Sequence, residues 1–393
     1  MHLCWQVSKL KSTKTKITAN EEQSDFIAVN ADHWSQLPDF PWDTLAPFAE
    51  IARSHPDGII DLSVGTPVDP TPDVIRRALE AASNAPGYPT TAGIPQLAKA
   101  FTHWAVETLG APANIAVLPT IGSKEIVAAL PNLLGLGAGE VVVIPSIAYP
   151  TYLVGGIAAG CEVIATDSPE SLTQPVALLW LNSPSNPTGE VLSLQRLQEL
   201  VRWGQTHGVV IASDECYYDL GWDAEPVSIL DQRVHGGNLT GLLAVHSLSK
   251  RSNMAGYRSG MLAGDPELVN RILGIRKHLG MMLPTFVQHA AIAAYQDLAH
   301  VHEQKARYHS RRAALKGALT DAGFDIRHSE AGLYLWATQD RDCWESVSQL
   351  ASLGILVTPG SFYGEKGQKF VRVAMTATDE AVNNAITRLT HFA

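Results

Sequence analysis

Cysteine is scarce and scattered: four in 393 residues, at Cys4, Cys161, Cys216 and Cys343, with no C-x-x-C spacing. That excludes a disulfide framework and a thiolate zinc site, and it fits a reducing cytoplasm. Long apolar runs are missing too. None reaches membrane-spanning length, and the first residues carry no signal-peptide core. Positive charge is outnumbered, 29 Lys and Arg against 39 Asp and Glu, for a net charge of −10. Such a balance argues against nucleic acid or an anionic membrane as a partner. The 14 histidines include no H-x-x-x-H or H-E-x-x-H pair, so no metal centre is expected.

What is present is globular: 46% hydrophobic and 17% charged residues. The chain is long for one core and calls for two domains, or for one large domain with a smaller one appended. Residues 1–35, basic and hydroxyl-rich and then acidic, read as a mobile extension. A helix is expected from Pro41 to about Ser54, and a short strand over Ile59–Val64. A second helix is expected through Ala82, with Thr71 as its cap and Pro72 in its first turn. Another amphipathic helix spans Gly93–Leu109. Apolar strands then alternate with helices, at Ile115–Leu118, Glu140–Pro145, Glu162–Thr166, Val176–Leu181, Gly208–Ser213, Gly241–Ser247 and Gly260–Ala263. Several are apolar throughout, as in a parallel sheet covered on both faces. The pattern is α/β, built of crossover units. Helices dominate Glu267–Ala322. Short strands at Phe324–Arg327, Gly332–Ala337, Leu356–Thr358 and Phe370–Ala374 and a helix from Asp379 make a smaller α+β part. The expected boundaries are an extension at 1–35, a small-domain segment at 36–59, a large domain at 60–284 and a C-terminal small domain at 285–393.

The run from Ser247 to Gly260 follows an apolar strand and places Lys250 among small and hydroxylated residues, with Arg258 eight positions on. Burying an ammonium there is costly. Condensation with an aldehyde removes the charge, which is how a lysine holds pyridoxal phosphate (PLP). Ser247, Ser249 and Arg258 would then serve its phosphate. The plainer reading is a surface lysine in a loop. Asp214 ends a strand, where ligands of open α/β sheets bind. It either keeps a pyridine nitrogen protonated or caps the next helix. Tyr217 could donate to the cofactor's ring oxygen. Asn186, in the rigid turn Asn182–Gly189, would present an amide to the same oxygen, unless the turn is only a turn. Gly122, Ser123 and Lys124 open a helix and either offer amides to a phosphate or merely cap. Tyr149 either stacks on a flat cofactor or fills the core. Arg372, inside the apolar strand Phe370–Val373, needs a partner: a substrate carboxylate or an internal Asp or Glu.

In order and spacing, Lys250, Arg258, Asp214, Tyr217, Asn186, Ser123, Tyr149 and Arg372 resemble the site of fold-type I PLP-dependent aminotransferases of the aspartate aminotransferase superfamily, over nearly the whole chain from Leu37. The resemblance implies a large PLP-binding domain and a smaller α+β domain. It makes Lys250 the cofactor lysine and proton carrier, Asp214 the partner of the ring nitrogen, and Asn186 and Tyr217 the partners of the ring oxygen. Arg258 would bind phosphate and Arg372 the substrate's α-carboxylate. It further implies a homodimer with shared sites, in which Tyr88 reaches the partner subunit's phosphate and Gly65 lies against the substrate carboxylate. The segments Leu37–Pro47, His55–Pro70, Ala85–Gly93 and Val117–Glu125 resemble the actinobacterial type of N-succinyldiaminopimelate aminotransferase. That likeness implies transamination between glutamate and N-succinyl-2-amino-6-oxopimelate, in lysine and diaminopimelate synthesis. Arg251, Arg276, Lys277 and His278 are candidates for the substrate's outlying carboxylates, with charged helix faces as the plainer reading. The same site set also serves other aminotransferases and C–S lyases. A ligand-sensing transcription regulator would need a basic two-helix DNA-binding segment, which residues 1–35 do not supply.

Overall fold

A computed structural model describes residues 36–392 apart from residue 39, so the expected extension at 1–35 lies outside the described residues. Seven strands form the main sheet, in the order Ala116–Ile121, Ser259–Gly264, Leu242–Ser247, Val210–Asp214, Leu178–Asn182, Val141–Ile144, Glu162–Ala165. Five run parallel in succession. Ser259–Gly264 is antiparallel to both its neighbours, which makes it the one reversed strand. The apolar runs behave as their composition requires. Leu242 and Ala244 enter the core on one face of the sheet, while Leu243 and Val245 enter the core on the other. Strand side chains alternate between faces, so only a run without polar positions satisfies two covered faces. Helix Leu194–His207 shows the accompanying punctuation: Ser193 caps it by accepting from the Arg196 N–H at 3.1 Å, and Gly208 stops it at φ +69°.

A second, smaller sheet is antiparallel, in the order Thr358–Pro359, Phe370–Ala374, Tyr334–Thr338, Asp325–Arg327. Its core is separate and includes Leu333, Leu335, Val371 and Val373. The strand expected over Ile59–Val64 shrinks to Ile60–Asp61, and it pairs with Ile355–Leu356 beside the small sheet. The helix Thr285–Gln296 packs the other way: Val287, Ala290, Ala291 and Ala294 join the core of the large sheet. The expected cut between residues 284 and 285 therefore does not follow the packing.

Local expectations shift where proline decides. The helix expected over Pro41–Ser54 is two pieces, Pro41–Thr44 and Ala46–Arg53, because Pro47 has no N–H to continue the first ladder. The helix expected to open on Thr71 runs Asp73–Ala81, with Pro72 at its cap position. Thr71 instead donates its hydroxyl to the Asn253 carbonyl at 2.7 Å, tying this segment to the loop after Lys250. No helix of the described residues is long and apolar enough to cross a membrane.

Candidate active site

Three parallel strands end side by side, with Asn182 in register with Asp214 and Asp214 with Val245. Beyond these ends a cavity of about 500 Å³ opens between the large sheet, residues 64–66 and the small sheet. Every expected site residue lines it except Gly122 and Tyr88. Gly122 stands just behind, where a Cβ would overlap the Arg258 guanidinium. Tyr88 is 96% exposed and away from this chain's cavity.

Lys250 is carried on the short helix Leu248–Arg251, which Ser247 caps by accepting from the Ser249 N–H at 3.1 Å. Its Nζ donates to the Gly65 carbonyl. Burial lowers its pKa, and Arg372 and Arg258 add to the effect against Tyr334 and Cys216. A desolvated amine near cations is shifted toward the neutral, nucleophilic form and is not a surface lysine. Ser247 Oγ donates to Ser249 Oγ at 2.9 Å beside it. Arg258, in the left-handed region at φ +53°, donates from Nη1 to the Ala255 carbonyl at 2.8 Å. The helix Gly122–Leu133 begins with no side-chain cap, so Ser123 is not spent as one. Its first-turn amides and Arg258 together make an anion cradle.

Asp214 is 6% exposed and caps no helix. Its Oδ2 accepts from the Tyr152 hydroxyl at 3.0 Å and its Oδ1 from the Cys216 N–H at 3.2 Å. Burial raises its pKa against the pull of Cys216, Tyr152 and His246. Asn182 fixes the turn that follows its strand. Its Nδ2 donates to the carbonyls of Asp214 at 2.9 Å and Pro184 at 3.2 Å, and its Oδ1 accepts from the Asn186 N–H at 2.7 Å. Asn186 is thereby set in the cavity wall rather than left in a free turn.

Arg372 meets no carboxylate among the described residues. Its Nη1 donates to Asn186 Oδ1 at 2.9 Å and its Nη2 to the Ser63 carbonyl at 2.6 Å, while its buried Nε has no partner. Of the two partners open to it, the internal acid is absent. A buried guanidinium that lines a cavity and keeps one donor unpartnered has the chemistry to receive an anionic ligand. Tyr149 is half-buried and stands edge-on to Tyr152 at 5.7 Å, with burial pushing its hydroxyl up to about 12. Tyr217 is buried, and its hydroxyl lies 3.1 Å from that of Tyr334.

The four candidates for outlying carboxylates do not reach the cavity. Arg276 is wholly buried and forks onto Glu125 at 2.6 and 3.2 Å. Arg251 is buried over the Trp104 ring at 4.8 Å and lies 3.4 Å from Asp219. Lys277 and His278 are exposed at the end of helix Pro266–Leu279. The residues that sequence reasoning missed are Tyr152, Asn182, Cys216 and Tyr334. Each lies within an apolar or turn segment, where only the tertiary contact marks it out.

The donor set suits PLP: a desolvated lysine, an anion cradle, a buried carboxylate, and phenol and amide donors around one cavity. Residues 57–389 match the family model for aminotransferase class I and II. The chain belongs to that family. Members use pyridoxal phosphate, and this aminotransferase has the residues to hold it. It is 53% identical over 357 residues to the 4-dedimethylamino-4-oxo-anhydrotetracycline transaminase OxyQ of Streptomyces rimosus, covering 90% of this chain and 99% of that one. It is 55% identical to the probable aminotransferase Rv1178 of Mycobacterium tuberculosis, covering 91% of this chain and 86% of the other. It is 32% identical to an LL-diaminopimelate aminotransferase of Dehalococcoides mccartyi, over 86% of this chain and 92% of that one. A solved aminotransferase from Neisseria meningitidis superposes with a TM-score of 0.84 at 30% identity, over 92% of this chain and all of that one.

The cradle itself can be tested. Gly122 sits at φ +73° with Arg258 pressed against it. Gly122→Ala is expected to weaken PLP binding about tenfold or more, through left-handed strain and displacement of the guanidinium. Titration of the apoprotein with PLP, followed by protein fluorescence, reads this directly. Unchanged affinity would detach Gly122 and Arg258 from the phosphate.

Proposed function

We propose that this aminotransferase moves the amino group of glutamate to N-succinyl-2-amino-6-oxopimelate, in two half-reactions on one PLP. When bound, PLP supplies an electron-accepting ring and an aldehyde that carries the amino group. The chain's own residues do the rest. Lys250 holds the cofactor and then, as a free amine, takes and returns the substrate's α-proton. Asp214 keeps the ring nitrogen protonated, and Tyr217 and Asn186 hold the ring oxygen. Ser123, Lys124, Ser247, Ser249 and Arg258 hold the phosphate. Arg372, beside Gly65, grips the α-carboxylate, and Tyr149 covers the ring.

The observation carrying the substrate reading is the count of cations at the cavity. Four line it: Lys250, Arg258, Arg372 and Lys124. The first serves the aldehyde, the second the phosphate and the third one carboxylate. Lys124 binds phosphate through its backbone amide at the helix start. Its ammonium, at the exposed rim, has no ion pair among the described residues and is left for a second carboxylate. Glutamate carries one beyond its α-carboxylate, and the succinylated keto acid carries two. Since the rim is solvated, the contribution is modest. Lys124→Ala is expected to lower the preference in kcat/KM for glutamate over norvaline about fivefold. An unchanged ratio would take Lys124 out of substrate choice.

The likeness to OxyQ favours a second reading, in which the acceptor is a bulky cyclic ketone without a distal carboxylate. Absorbance separates the two. The enzyme is converted by glutamate to its amino-loaded form, then given N-succinyl-2-amino-6-oxopimelate, oxaloacetate or a polycyclic ketone. Much faster recovery of the starting spectrum with the succinylated keto acid supports the first reading. Recovery with only one of the others replaces it.

The working form in this reading is a homodimer in the reducing cytoplasm. Its support is the exposed Tyr88 together with Val68, Val74 and Phe286, and a surface hollow lined by Tyr257, Met282 and Phe286 that shares Arg258 with the cavity. Cys161, Cys216 and Cys343 are free thiols. A fully active protein with a monomer's mass in solution would refute the dimer.

A further inference from the structure

Tyr334 has no role in the scheme above, yet it touches three parts of it. It begins the strand Tyr334–Thr338, is 3% exposed and lines the cavity. Its hydroxyl lies 3.1 Å from that of Tyr217. Its ring lies beneath Arg372, with the guanidinium carbon 4.0 Å from the ring centroid. The same hydroxyl rests against Gly65, where a Cβ would overlap it, and the Gly65 carbonyl accepts from Lys250 Nζ.

Two phenols in contact share one hydrogen bond, and one of them must accept. If Tyr217 donated to Tyr334, its only proton would be spent on a neighbour, with none left for a ligand. The reading of Tyr217 as a donor to the cofactor's ring oxygen sets the direction: with that proton committed to the ligand, Tyr334 is the donor of the pair. Burial raises the Tyr217 hydroxyl. At Tyr334 burial also pushes upward, but Arg372, Lys250 and the hydrogen bond with Tyr217 together hold the hydroxyl below its ordinary value. The titratable groups around Tyr334 are Arg372, Lys250, Tyr217 and Cys216.

We propose that Tyr334 is a positioning residue of this site: it donates to Tyr217 Oη, which leaves the Tyr217 O–H free for the cavity, and its ring backs the Arg372 guanidinium. The assignment rests on the reading of Tyr217 as a donor to the cofactor's ring oxygen and of Arg372 as the carboxylate clamp. One side chain then sets the donor to the cofactor and the receptor for the substrate, and Gly65 keeps room for it.

The two functions separate by substitution. Tyr334→Phe keeps the ring and loses the proton. It is expected to leave KM for glutamate within about twofold and to lower kcat about tenfold. Tyr334→Leu loses the ring as well and is expected to raise KM about tenfold. The readout independent of turnover is the pH midpoint of the bound cofactor's absorbance, taken on substrate-free holoenzyme. Removing a donor to an ionised oxygen raises the midpoint. Tyr217→Phe should therefore raise it, Tyr334→Phe should raise it less, and the double variant should match Tyr217→Phe, because Tyr334 acts through Tyr217. A wild-type midpoint in Tyr334→Phe, or additive shifts in the double variant, would overturn the assignment. A Tyr217→Phe midpoint equal to wild type would remove the underlying reading of Tyr217, and this assignment with it.

Discussion

Lys250→Ala is expected to abolish transamination, by about 10⁴-fold or more, and to remove in the same step the visible absorbance that cofactor shows in the wild-type protein. Both losses come from one atom. Nζ is the amine that burial and the neighbouring Arg372 and Arg258 hold below the ordinary lysine pKa, and it lies at the cavity wall on the Gly65 carbonyl. No other lysine among the described residues lines the cavity except Lys124 at its exposed rim. The anion cradle of Arg258 and the helix at Gly122 survives the substitution, so the variant should still bind PLP, now reversibly. Dialysis should strip it. Absorbance spectra before and after dialysis, with turnover of glutamate measured in parallel, check the expectation. Wild-type turnover in the variant would end the assignment of Lys250.

The residues legible in the sequence are those whose position alone is improbable. A lysine and an arginine spaced by small residues after an apolar strand, an acid at a strand end, and an arginine inside an apolar strand each break a local pattern. The chain spends stability to keep them. Tyr152 and Tyr334 break no pattern. A tyrosine in an apolar run reads as core, and both are core residues by burial. What sets them apart is a hydroxyl that meets Asp214 or Tyr217, 62 and 117 positions away in sequence. Arg251 and Arg276 mislead for the converse reason. A cation on a helix is visible in the sequence, but the carboxylate that occupies Arg276 is 151 positions distant. The fold follows the same division. Fully apolar strands disclosed the two-faced sheet, because burial on both sides leaves no polar positions. The reversal of Ser259–Gly264 and the pairing of Ile60–Asp61 with Ile355–Leu356 depend on partners far along the chain and left no local trace.

Asp214→Ala should move function and stability in opposite directions. Burial raises the Asp214 pKa above the unfolded value, so in the cofactor-free protein burial works against the carboxylate. A group with a raised folded pKa contributes stability that is fully present below its unfolded pKa. That contribution is lost as pH rises through the folded pKa. At neutral pH the empty site therefore carries a buried carboxylate at a cost, which the Tyr152 hydroxyl, the Cys216 N–H and side chain and His246 offset in part. Removing the carboxylate should raise the melting temperature of apo-protein at pH 7 relative to wild type. That advantage should vanish below about pH 4, where the acid is protonated in both folded and unfolded chains. In the holoenzyme the sign reverses. Under the proposed role of Asp214, a protonated ring nitrogen would be its counter-charge, and a carboxylate in a dry pocket would interact with it strongly. Asp214→Ala should retain some cofactor yet lose about 10²–10³-fold in kcat, the scale of one preorganised electrostatic partner. It should also gain less thermal stability from PLP than wild type does. Melting curves with and without PLP at pH 4 and 7, together with single-turnover rates, test both halves. Full activity would remove Asp214 from the reaction. An apo-protein destabilised at pH 7 would show that Asp214 is held by its hydrogen bonds rather than kept in reserve for a cation.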